Sequence, residues 1–348
     1  MPVRYAPLDS THVCRLARRA AAFWLVLLLV VAASFAAAQS DPLPSWNAGP
    51  AKQAVLDFVA ATTTPGSPDF VPPEARLATF DQDGTTWVEQ PMYTPVLFCL
   101  ARLKELAKEK PELAATEPFK TILSGDRQAM EKLSDADYQQ LGTLTLTGVT
   151  PEELAAAVRA WLAVARDVRW HRPYTELVYQ PMLEVMRLLR AAGYKTYFVT
   201  GGPQDFVRVF SEPVYGIPPE QVVGAINAVK YGYAKDGRPM LTEEPRILGD
   251  TVGPGKPESI HIEIGRRPFA AFGNSTGDRE MLEYTQAGDG KRLMMLVHHD
   301  DATREYAYGA DSKVGTFSQA LMAEARQRGW VVISMRNDWK RIFAWEGE

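Results

Sequence analysis

Two patterns run through this chain, short continuous apolar runs and apolar residues recurring at helical spacing. Around Leu77 the short run Leu-Ala-Thr-Phe carries a β-branched and an aromatic member and no charge. A parallel strand buried on both faces has this pattern. The helical period comes first at Ala54, Val55, Phe58 and Val59, which predict an amphipathic helix over 51–61. Pro65, Pro68, Pro72 and Pro73 then break the chain before the strand. Beyond Trp87, leucines three apart (Leu97, Leu100, Leu103, Leu106) predict a helix over 91–108. Cys99 falls inside it and reads as a core residue. A further helix is expected over 119–133. Thr150-Pro151-Glu152-Glu153 is a capping box with proline at the first helical position, opening a helix that runs through Ala165.

No strand pattern occurs between Trp87 and about Trp170, so this stretch reads as a helical insertion. After it, strands and helices alternate. A helix over 181–192 stops at Gly193, and a strand over 195–199 ends in Thr200-Gly201-Gly202. Strands over 222–233 and 240–242 flank a hairpin turn at Lys235-Asp236-Gly237. Gly255-Lys256-Pro257 opens a helix, and strands follow over 269–272, 293–297 and 331–333, with a helix capped near Ser318 and stopped by Gly329. Such alternation predicts an α/β fold with a doubly wound, mainly parallel sheet.

The amino terminus carries a different signal. Arg15, Arg18 and Arg19 precede an uncharged stretch from Ala20 to Phe35, and Ala36-Ala37-Ala38 fits a small-residue cleavage site. Residues 1–38 are therefore expected to be a signal peptide and the protein to be exported, most simply to a periplasm. The apolar run is short for a membrane span, so no stable membrane insertion is expected after cleavage. From a formal charge of −4, removal of four arginines and one aspartate leaves −7. That balance argues against nucleic acid and anionic membrane surfaces as partners. Of the two cysteines, Cys99 alone remains, so no internal disulfide can form.

Chemistry concentrates where strands end. Asp81 and Asp83 lie two apart just past the first strand, and ligands of open α/β sheets bind at that edge. A carboxylate pair there can hold a divalent cation, or one carboxylate can attack an electrophile covalently. A solvated Asp-rich turn is the plain alternative. Thr200 follows the second parallel strand, and Gly201-Gly202 lead into a helix near Pro203, a pattern that can cradle phosphate. Lys256 can put a positive charge beside phosphate or nucleophile. Asn274 and Asp278 follow a later strand and supply further oxygens to a cation.

These four stretches, DxDGT at 81–85, a strand ending in Thr200, Lys256 and GNxxxD at 273–278, resemble the haloacid dehalogenase (HAD) superfamily in type and order. Within it the chain is most similar to the phosphoserine-phosphatase-like branch and to exported bacterial members. The resemblance implies a Rossmann-like core formed by 39–86 and 171–348, with 87–170 as a helical cap inserted after the first strand. It implies Mg²⁺-dependent hydrolysis of a small phosphorylated substrate. Asp81 would be the nucleophile and Asp83 the acid and base. Thr200, Gly201 and Gly202 would contact phosphate, and Lys256 would balance charge. Mg²⁺ would be held by Asp81, the Asp83 carbonyl, Asn274 and Asp278. Position 274 departs from the superfamily's commoner Asp, and an amide oxygen is the weaker ligand. An inactive relative that binds a phosphorylated ligand or a partner protein is the alternative. Haloacid dehalogenation is disfavoured by Asp83, which that chemistry does not need.

Taken one at a time, these residues also have ordinary readings. Lys256 alone reads as a surface lysine, and Gly201-Gly202 as an ordinary turn. Trp87 and Tyr93 are candidates for an aromatic wall facing substrate, or for cap core. Glu89 could bind a substrate amine or lie on a solvated face. His298-His299-Asp300-Asp301 lacks the spacing of a helical zinc motif and reads as a polar loop at the sheet edge.

Overall fold

The computed structural model describes residues 41–130 and 132–347. The signal peptide expected over 1–38 lies outside the described residues. Among these residues no helix is long and apolar enough to cross a membrane.

The framework from Leu43 onward is a seven-stranded sheet. Its strands are β1 (Leu77–Phe80), β2 (Lys195–Pro203), β3 (Val222–Tyr233), β4 (Pro239–Gly249), β5 (Ala270–Gly273), β6 (Leu293–His298) and β7 (Val331–Ser334). Their order is β4-β3-β2-β1-β5-β6-β7, with every pair parallel except β3 and β4. The fold is thus the expected α/β type. Alternate residues of the central strands feed two separate cores. Ala270 and Phe272 join one with Leu293 and Met295, while Ala271 joins the other with Met294 and Leu296. Period-two side chains with apolar surface on both sides require both faces to be covered. Helices α1 (Pro50–Thr63) and α7 (Gln180–Ala191) cover the first face through Val55, Phe58, Val185 and Leu189. Helices α10 (Arg279–Gln286) and α11 (Gln319–Arg328) cover the second through Met281, Leu282, Leu321 and Ala325. The chain runs from β1 to β2 on one side and returns to β5 on the other. The carboxyl end of β1 is therefore the switch point at which such sheets open a crevice.

The segment after β1 is helical, as its pattern predicted: α2 (Thr94–Glu109), α3 (Phe119–Ser124), α4 (Arg127–Met130), α5 (Asp135–Leu146) and α6 (Pro151–Val164). The helix expected over 119–133 is broken after Ser124, where Gly125 turns with φ +70°. Helix α5 was not predicted, although Ser134 and Asp137 form a reciprocal capping box at its start. The box at Thr150 and Glu153 forms as read. α2 packs on α5, and α5 and α6 rest against β4. The link from α5 to α6 is sewn to that edge strand by the bonds Gly148 N–Glu243 O and Glu243 N–Val149 O.

Two local differences bear on the site. β2 continues through Gly201-Gly202 to Pro203 before the helix α8 (Gln204–Phe210) begins. β7 pairs outside β6, so His298 ends an interior strand and His299 is buried, which corrects the reading of a polar loop at the sheet edge.

Candidate active site

Asp81 leaves β1 with its N–H bonded to Phe272 O on β5 (2.9 Å). Phe80 and Phe272 stack beneath it at 4.3 Å between ring centroids. The turn beyond is held from several sides. Gly84 adopts φ +70°, and a Cβ there would lie 2.1 Å from Asn274 Nδ2 and 2.3 Å from Glu89 Oε1. Only glycine fits both this conformation and this approach. His299 bridges the Gly84 carbonyl (Nε2, 2.7 Å) to the buried Glu305 carboxylate (Nδ1, 3.1 Å).

The cleft above this turn has a volume of about 250 Å³. Asp81, Asp83, Thr200, Gly201, Gly202, Lys256 and Asp278 all line it, as do Glu89 and, from the start of the helical segment after β1, Tyr93, Pro95 and Val96. Stretches up to about two hundred positions apart thus meet at one point, although Asn274, expected with them, is not among the residues that line the cleft. Lys256, on the short helix α9 (Gly255–Ser259) and only 2 % exposed, lies 2.6 Å from Asp81 Oδ1 and 2.7 Å from Asp278 Oδ1, and donates to Val199 O at 2.7 Å. Burial alone would lower its pKa, but the Asp278 and Asp81 carboxylates push it upward. Burial, reinforced by Asp278 and moderated by Lys256, raises Asp81 to about 7. Burial also raises Asp83 to about 6, against the opposing hydrogen bond from Trp87.

Several residues are placed differently from expectation. Trp87 is 1 % exposed, stacks on Phe210 at 4.7 Å and does not line the cleft, so it is no substrate wall. Its indole Nε1 instead donates to Asp83 Oδ1 at 2.6 Å. With the Gln82 amide turned to accept from the same indole, its nitrogen donates to Asp83 Oδ1 at 3.3 Å. Glu89 is buried and not on a solvated face: Asn274 Nδ2 and Tyr308 OH each donate to its Oε1 at 2.7 Å. Asp278 Oδ2 accepts from Asn274 N, Ser275 N and Ser275 Oγ, so both its oxygens are committed, Oδ1 to Lys256. Gly202 N–H is likewise occupied, by Thr200 Oγ1 at 3.0 Å, rather than standing free at a helix start. Thr85, Tyr308 and His299 belong to the site but were not assigned to it from the sequence. Thr85 had a signal as the last residue of DxDGT and His299 in the HHDD run, whereas Tyr308 had none.

The structure supplies its own test of whether these residues suit a divalent cation. No three carboxylates, imidazoles or thiols among the described residues converge as a ready metal cluster. The candidate set mixes carboxylates with the Asn274 amide and a main-chain carbonyl, hard oxygens of the kind Mg²⁺ takes. Asn274 Oδ1 is joined to Asp81 Oδ2 through Thr85 Oγ1, at 3.0 and 3.3 Å. Among the described residues lining the cleft, four buried carboxylates, Asp81, Asp83, Glu89 and Asp278, face one cation, Lys256. Buried charge needs a partner or a proton, and a divalent cation would offset the surplus. The residues fit.

A family model described as haloacid dehalogenase-like hydrolase matches residues 78–283, which hold all of these groups but the loop after β6. The chain belongs to that family. Among solved structures, this HAD hydrolase is similar to a conserved functionally unknown protein from Anaerococcus prevotii. That pair is 14 % identical with a TM-score of 0.51, covering 84 % of this chain and 94 % of that one, and the likeness supports the shared fold. A protein of unknown function from Bordetella pertussis Tohama I is 17 % identical over 75 % of this chain and 98 % of that one, with a TM-score of 0.47. A phosphoserine phosphohydrolase-like protein from Francisella tularensis is 13 % identical over 74 % and 94 %, with a TM-score of 0.38. No curated protein matches the chain.

Proposed function

We propose that this HAD hydrolase is an exported phosphatase that cleaves small phosphomonoesters through an aspartyl-phosphate on Asp81. The observation that carries the reading is the convergence of Asp81, Asp83, Thr200 and Lys256 on one cleft at the carboxyl end of β1 and β2. The Asp81 carboxylate attacks phosphorus as the ester P–O bond breaks. Asp83 gives its proton to the leaving alkoxide, so an alcohol departs. Asp83, now ionised, takes a proton from water, which attacks the phosphoryl group and returns Asp81 and inorganic phosphate. A carboxyl raised to about 6 is suited to both halves of that cycle. The Thr200 hydroxyl and the Lys256 ammonium contact the phosphoryl oxygens and hold the charge that gathers there. Asp81, the Asp83 carbonyl and Asn274, with Asp278 behind them, would hold Mg²⁺, which supplies charge neutralisation between carboxylate and phosphate when bound.

The helical stretch over 87–170 acts as a cap in this reading, and its Tyr93, Pro95 and Val96 meet the leaving group while water is excluded. Export follows from the pattern of residues 15–38. The test is release of inorganic phosphate from a panel of phosphorylated metabolites and an aryl phosphate, with and without EDTA. Activity on none of them, or full activity in EDTA, would overturn the proposal.

A further inference from the structure

The surplus of buried carboxylates has one member with no assigned work, Glu89. It is 2 % exposed and lines the same cleft as Asp81 and Asp83. Both of its donors, Asn274 Nδ2 and Tyr308 OH, converge on Oε1, and Oε2 has no hydrogen-bond partner among the described residues. No lysine, arginine or histidine among the described residues pairs with it. An unpaired carboxylate at this depth is costly. Its position is nevertheless closely built. Besides Gly84, Gly315 approaches it with φ +65°, and a Cβ there would fall 1.7 Å from Glu89 Oε1. The Asn274 amide is clamped between Thr85 and Glu89, so its nitrogen is turned to Glu89 and its oxygen to Thr85 and Asp81.

We infer that Glu89 is a residue of the cation site, whose Oε2 supplies the carboxylate charge that Asn274 lacks. In effect the charge has moved from position 274 to a neighbour in contact with it, while Asp278 remains occupied by Lys256. A substrate amine would be an alternative partner for Glu89. However, the carboxylate's tie to Asn274, and through Thr85 to Asp81, ties it to the oxygens that would hold the metal. The inference rests on the Mg²⁺-dependent reading above and names a further member of that site.

Isothermal titration of Mg²⁺ and Mn²⁺ into the metal-free protein tests it without any substrate. Glu89→Gln keeps the shape and should weaken binding on the order of 10–100-fold. Glu89→Gln combined with Asn274→Asp should recover most of that loss, because the charge is returned beside the same oxygens. Urea unfolding of the metal-free proteins separates this role from packing. Glu89→Gln removes a buried charge and should leave the midpoint unchanged or higher, whereas a purely structural glutamate would lower it. Undiminished cation affinity in Glu89→Gln, with altered ranking only of amine-bearing substrates, overturns the inference and spares the phosphatase reading. Absence of saturable cation binding in the wild type overturns both. Should Glu89→Gln not fold, Glu89→Asp serves in its place: drawing the carboxylate back by one methylene should weaken cation binding by on the order of tenfold, and undiminished affinity in that variant overturns the inference.

Discussion

Replacing Lys256 by methionine probes the electrostatics of the cleft most directly. The ammonium lies 2.6 Å from Asp81 Oδ1 and 2.7 Å from Asp278 Oδ1, and the three side chains are 3 %, 10 % and 1 % exposed. At an effective dielectric near 20, each such contact is worth about 6 kcal/mol of Coulomb energy before desolvation. Removing one partner of a buried pair typically costs about 3–5 kcal/mol, because the other charge is left without compensation. The Val199 carbonyl also loses its donor. Methionine keeps the length and apolar stem, so little packing is lost. The deficit should depend on pH. Without the lysine, Asp81 titrates above its present value of about 7, so it binds a proton readily in acid. Protonation then removes the uncompensated charge. Urea unfolding followed by tryptophan fluorescence, in EDTA, should give a deficit of about 3–5 kcal/mol at pH 8 and a clearly smaller one at pH 5. Turnover at pH 7 should fall by roughly 10²–10³-fold. A deficit below about 1 kcal/mol at pH 8, or one equal at both pH values, would refute the reasoning, since Lys256 would then not be compensating the two carboxylates.

Other perturbations read other parts of the site. Asp81→Asn should lower turnover by on the order of 10⁴-fold or more while leaving the urea midpoint near or above wild type; near-normal phosphate release would remove Asp81 as nucleophile. Trp87→Phe deletes the donor to Asp83 Oδ1, and that bond holds the Asp83 pKa down, so the pH–rate limb belonging to Asp83 should move up by about one unit; an unmoved limb would assign it to another group. In the metal-free protein, Asp81 near 7 and Asp83 near 6 exceed their ordinary 3.8, so the stability that their protonation contributes is complete below about pH 4 and lost as pH rises through 6 to 7. The urea midpoint should therefore fall between pH 5 and pH 8, and saturating Mg²⁺ should stabilise more at pH 8 than at pH 5, because cation and protons compete for the same oxygens. A metal benefit larger at pH 5 would contradict this. Gly84→Ala imposes about 1–2 kcal/mol for the left-handed conformation and drives a methyl into Asn274 and Glu89; weaker Mg²⁺ binding by calorimetry checks it.

The elements were legible where their cause is local. Runs such as Leu77–Phe80 and Leu293–Val297 are apolar at successive positions because both faces of those strands are covered, and that pattern sits in a handful of adjacent residues. Capping at Thr150 and the stop at Gly193 are equally local, and the acids Asp81 and Asp83 follow directly on their strand. Even so, the Ser134–Asp137 box opens a helix that apolar spacing does not predict, and β2 runs further than its apolar stretch because its pairing with β3 resumes at Pro203, past the glycines.

What the tertiary structure alone decided is which groups meet, and in what state of partnership. Glu89 and Asn274 are 185 positions apart, and no period connects them. They touch because the crossovers on either side of β1 bring the β1 and β5 loops to one edge, while the loop after β6 lays Tyr308 and Gly315 over them. For the same reason Trp87, read as a wall or as core, is a buried core residue that also donates to Asp83, and His299 became a support for the Gly84 carbonyl. A side chain's type is written in the sequence, but its burial, its partner and its pKa are set by the groups that the fold packs around it.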